Sequence, residues 1–105
     1  MSDLPDDLIP IQRAIDAARA AVNKYAAEVS AQRRAEFPDD EQIVDRQTWT
    51  PEQDAELDRL RGAYMAACRA KWDHPAVRQA EAEKTFRELD KKLITAARAE
   101  AAAAS

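Results

Sequence analysis

The sequence predicts an all-α protein: one long helix followed by an antiparallel helical hairpin, closing as a three-helix bundle or joining a coiled-coil-like assembly. Three observations lead there. Alanine occurs 24 times and glycine once in 105 residues, and alanine is the strongest helix former while glycine is among the weakest. Apolar residues recur at steps of three and four over long stretches, which is the period of one helix face. Two interruptions, Phe37-Pro38 and Trp72-Asp73-His74-Pro75, separate those stretches. A chain this short is expected to be a single helical domain over 1–105, burying only about two-thirds of the surface it exposes when unfolded.

The first helix is expected over about 8–36. Leu8, Ile11, Ile15, Ala18, Val22, Tyr25 and Val29 alternate three- and four-residue steps without a slip, the spacing of a coiled-coil seam. Asp6 or Asp7 can cap it, and Pro10 is tolerated in the first turn, where its missing N–H had no helical partner. Pro38 biases Phe37 toward extended geometry and ends the helix. At 1.5 Å per residue, such a helix is roughly 43 Å long.

Residues 37–50 form an acidic connection in which the period is lost, with Ile43 and Val44 placed on a short helical turn. The second helix, about 51–72, starts with strong grammar. Thr50 is a natural N-cap, Pro51 suits the first helical position, and Gln53 completes a T-x-x-Q capping box. Glu52, Asp54 and Glu56 set negative charge near the positive end of the helix dipole. Leu57, Leu60, Tyr64, Ala67 and Cys68 share one face. The opposite side carries Gly62, Ala66 and Ala70, a row of small residues one turn apart.

Asp73 or His74 is expected to cap a third helix over about 75–102, with Pro75 in its first turn. Ala82, Phe86, Leu89, Leu93 and Ala96 supply its apolar stripe, and the last alanines are expected to fray. The short break at 73–74 makes helices two and three an antiparallel hairpin.

Net charge is −4 but uneven. Residues 38–58 hold eight acids against Arg46, and residues 59–80 hold five bases against Asp73. A uniformly basic nucleic-acid binder is disfavoured, while a local basic patch is not. There is no signal-peptide pattern and no apolar run of membrane-spanning length, so a cytoplasmic location is expected and no membrane partner. One cysteine cannot form an internal disulfide.

Enzymatic chemistry finds little support. His74 is the only histidine, and it sits among cap residues, where a capping role accounts for it. No H-E-x-x-H or paired-cysteine spacing suggests a metal, and a single glycine cannot build a phosphate-cradling loop. Cys68 shares a face with Tyr64 and suits a small core position. No catalytic residue, cofactor or metal is therefore expected.

The stretch W-T-P-E-Q-D-A-E-L at 49–57 resembles the opening of a Myb or SANT repeat, which would imply DNA reading by a third short helix. The helix after Trp49 is expected to run on for about twenty residues, and the resemblance ends with those nine residues. R-A-I-D at 13–16 resembles part of the first helix of all-helical chorismate mutases, whose basic substrate anchors do not recur here. The helical hairpin is similar to that of small secreted WXG proteins, but W-T-P stands where W-x-G would. Over most of its length, with L-P-D-D-L at the start, W-T-P-E-Q at the second helix and H-P at the second break, the chain resembles small uncharacterised helical proteins of actinobacteria. That resemblance implies no activity.

The function expected from the sequence is non-enzymatic: a helical interaction or structural protein that self-associates, as a homodimer or with another helical protein. The candidate contact residues are Ile15, Val22, Tyr25 and Val29 of the first helix and Gly62, Ala66 and Ala70 of the second. The alternative is a small nucleic-acid-binding regulator using the basic residues of 33–34 and 59–78, namely Arg33, Arg34, Arg59, Arg61 and Arg69. These arginines point around their helices and form no stripe along a phosphate track.

Overall fold

The structure, a computed structural model, describes residues 4–104. Every regular element among them is helical: α1 (Leu8–Glu36), a 3₁₀ turn (Asp40–Gln42), α2 (Ile43–Gln47), α3 (Pro51–Trp72), α4 (Pro75–Ala82) and α5 (Phe86–Ala104). Backbone contacts divide the chain into two compact units, Met1–Ala17 with Met65–Ser105, and Ala18–Tyr64. Helices α1 and α3 each contribute residues to both.

α1 and α3 begin and end where the apolar period and the breakers place them. Arg33 and Arg34 lie in the last turn of α1, where positive charge complements the helix dipole. α3 starts on the capping box written in the sequence. The Gln53 N–H donates to Thr50 Oγ1 at 3.1 Å, and the Thr50 N–H donates to Gln53 Oε1 at 2.9 Å. His74 caps α4: its Nδ1 accepts from the Ala76 N–H at 3.1 Å, and Pro75 follows as the first helical residue. With Nδ1 accepting, the ring proton sits on Nε2, which donates to the Asp7 carboxylate at 2.9 Å. Asp7 thus meets the cap of another helix.

The third helix departs from expectation. In place of one helix over 75–102, the chain forms α4 and α5, separated by Glu83, Lys84 and Thr85. Lys84 adopts φ 60°, the left-handed conformation that closes a helix. The Thr85 N–H bonds back to the Ala80 carbonyl at 2.8 Å and the Lys84 N–H to the Glu81 carbonyl at 3.2 Å. Those two bonds make a Schellman closure, a position where glycine is the usual residue. The Leu89 N–H then bonds to the Thr85 carbonyl and starts α5.

In the unit that contains both ends of the described chain, the core is Leu4, Leu8, Val77 and Leu93, with Ile9, Ile11, Phe86 and Leu89 packed against it. Leu8, Val77 and Leu93 are fully buried, a transfer worth about 1.5–3 kcal/mol each. Beside them lies a polar link. The Lys71 ammonium donates to Gln12 Oε1 and to Asp90 Oδ1, both at 2.6 Å, and Gln12 Nε2 donates to Asp16 at 3.0 Å. Gln12 and Lys71 are buried, so α1, α3 and α5 are tied by a charge and an amide that have lost their water. In the other unit, Ala18–Tyr64, Val29 and Leu57 are the buried apolar residues among those described. An edge-on Tyr25–Trp49 pair, centroids 6.1 Å apart, adds to them.

Candidate functional site

The residues proposed for contact separate into two groups. Ile15 and Val29 are buried, while Val22 and Tyr25 are half-buried. The seam of α1 is therefore used within the chain. Gly62, Ala66 and Ala70 are all exposed, and a Cβ built on Gly62 would meet nothing within 4 Å. That row is open surface.

The exposed side of α3 holds more than the small row. Met65 is 60% exposed and Trp72 46%. On a helical wheel Trp72, Met65, Asp58, Arg69 and Gly62 fall within an arc of about 80°. All five are exposed, so α3 carries an apolar and charged outer stripe flanked by the small row. Trp72 is held in place by Phe86, whose ring lies 4.8 Å away at a 32° tilt.

The arginines are used unequally. Arg59 donates to the Glu56 carboxylate through Nε at 2.9 Å. That hydrogen bond is the main reason the Glu56 carboxyl sits below its ordinary range; desolvation opposes it, and the Arg59 charge adds to the lowering. Arg33 donates to the Asp45 carbonyl at 2.7 Å, lies 4.7 Å above the Phe37 ring and pairs with Glu36 at 3.5 Å. Its Nε is buried with no hydrogen-bond partner. Arg61 and Arg69 are exposed and project about 80° apart on α3, with Arg59 about 160° from Arg61. The five arginines thus share no common face.

Arg34 has a different setting. With Ser30 of α1, Ile43, Arg46 and Gln47 of α2, and Trp49, it lines a pocket of about 440 Å³. No carboxylate is among the lining residues, although Asp39, Asp40, Glu41 and Asp45 are close in sequence. Arg33 fixes the walls from behind, since its bond to the Asp45 carbonyl joins the end of α1 to α2. Arg46 and Trp49 escaped a sequence reading built on helix periods, because they come together with Arg34 only when residues 43–49 turn back along α1. The signal that could have found Trp49 was its place immediately before a capping box, where the helix offers it Asp54 and not an apolar residue to staple against.

Among the described residues, no group of three or more His, Cys, Asp or Glu side chains could hold a metal ion, and no helix is long and apolar enough to cross a membrane. No protein-family model, curated protein or solved structure matches this chain. The surfaces themselves therefore carry the functional argument.

Proposed function

We propose that this chain is a non-enzymatic helical interaction protein that forms a homodimer through the outer stripe of α3. The observation that carries this reading is the exposure of Met65 and Trp72 on one side of that helix, beside a glycine over which a Cβ finds open space. Two large apolar side chains next to a stripe of minimal backbone cover form a knob and a hollow on one surface.

The charge order of α3 selects the occupant. Acids open the helix, with Glu52 and Asp54 in the first turn, and the exposed Arg69 stands in the last, Lys71 there being buried against Gln12 and Asp90. An antiparallel second copy would set acidic start against basic end and oppose the two helix dipoles. With the two-fold axis between residues 63 and 64, Asp58 faces Arg69 of the second copy, and Met65 lies over its Gly62. The stripe is then complementary to itself, as a two-fold interface requires.

Light scattering over a concentration series tests the reading. A dimer mass at high micromolar concentration is expected. Gly62→Leu should shift the protein toward monomer without loss of helix, because the added side chain is unopposed within one chain and obstructs only the partner. A monomer mass throughout the series, or a Gly62→Leu protein as dimeric as the wild type, would overturn it.

A further inference from the structure

We propose that the pocket between α1, α2 and Trp49 binds a small anion that carries a planar ring, of the class of a nucleoside monophosphate. Two helices each bring a guanidinium to it, Arg34 from α1 and Arg46 from α2. Among the described residues neither arginine is in an ion pair, and the pocket wall supplies no carboxylate in the most acidic part of the chain. Two arginines lining one hollow repel each other, and an anion between them turns that repulsion into charge-assisted hydrogen bonds. Ser30 and Gln47 add a hydroxyl and an amide to the same wall.

The ring half of the ligand follows from Trp49 and Ile43. Trp49 is half-buried, with Tyr25 against it edge-on. The residue after it is locked in the Thr50–Gln53 capping box. An indole held in this way is a fixed platform for stacking, so little freedom is lost when a ring settles on it. The volume, about 440 Å³, suits a small ligand and not a folded partner. The lining residues fall within 30–49 and the α3 stripe within 58–72, so the two proposed sites share no residue.

The test is an NMR titration of the ¹⁵N-labelled protein with AMP, adenosine and inorganic phosphate in parallel. AMP should produce saturable shifts in the Trp49 indole N–H and leave the Trp72 indole unmoved. Its affinity should exceed that of adenosine or phosphate by about tenfold or more, and fall with added salt. Arg34→Gln and Arg46→Gln should each weaken AMP binding about tenfold while circular dichroism shows unchanged helix. Absence of saturable shifts at millimolar AMP would overturn the proposal. So would AMP binding that both substitutions leave intact, phosphate binding as tight as AMP, or a single-stranded oligonucleotide that binds when AMP does not.

Discussion

Lys71 is the residue on which the most depends. Its ammonium is buried and satisfied by one amide oxygen and one carboxylate oxygen. Replacing such a pair with apolar groups is often neutral, but removing one partner leaves the other stranded. Lys71→Ala should therefore cost about 3 kcal/mol in chemical denaturation, the lower end for a broken buried pair because Asp90 keeps part of its water. Lys84 gives the opposite sign. It holds φ 60°, which costs an L-residue about 1–2 kcal/mol, part of it offset by the extra freedom glycine has when unfolded. Lys84→Gly should raise stability by about 0.5–1 kcal/mol by the same measurement. Neither residue announced itself in the sequence. A lysine in the last turn of a helix looks solvated, and Gln12 and Asp90 stand 59 and 19 residues away from it. At 84, the residue that usually marks a Schellman closure is simply not glycine.

At the scale of elements, the helix boundaries that rest on local chemistry were legible and those that rest on backbone conformation were not. α3 shows the first case. Its Thr50 and Gln53 form the reciprocal bonds that T-x-x-Q implies, and Thr50→Ala should lose about 1 kcal/mol of stability in thermal or chemical melts. If the Thr50→Ala protein melts as the wild type does, the capping box contributes nothing. The break between α4 and α5 shows the second case. The three–four spacing from Ala82 to Ala96 runs straight through the interruption in the sequence, yet Ala82 is exposed and α4 buries Val77 and Ala80 instead, so the spacing joined two helices that do not share one face. Thr85-x-x-Glu88 was the available sign of a second start. Periodicity also identified the seam of α1, though not its use. The same spacing serves a partner or the chain's own core, and here Ile15 and Val29 are buried within the chain.

Across the molecule, charge placement decides among the functional readings. Arg33 and Arg59 are engaged by local acceptors, Arg34 lines a pocket, and Arg61 and Arg69 project from α3 with Arg59 about 160° away from Arg61. A labelled-duplex titration at two salt concentrations should accordingly show only weak, steeply salt-dependent binding. Tight, sequence-selective binding at physiological salt would favour the regulator reading. The candidate pocket was illegible in the sequence for a related reason: basic, aromatic and amide side chains from two helices and a connection share it, and no local period joins them. The α3 stripe was half legible, since the small row could be read from spacing while Met65 lay off the apolar face and Trp72 read only as part of the break at 72–75. The most direct measurement of the proposed dimer uses charge. Asp58→Arg and Arg69→Asp should each be monomeric alone, because each sets like charges face to face at both ends of a two-fold pair. Mixed in equal amounts, the two variants restore opposite charges at both contacts. Sedimentation equilibrium of the mixture should then recover the dimer mass, and a mixture that stays monomeric while the wild type is dimeric would contradict the antiparallel α3 pairing.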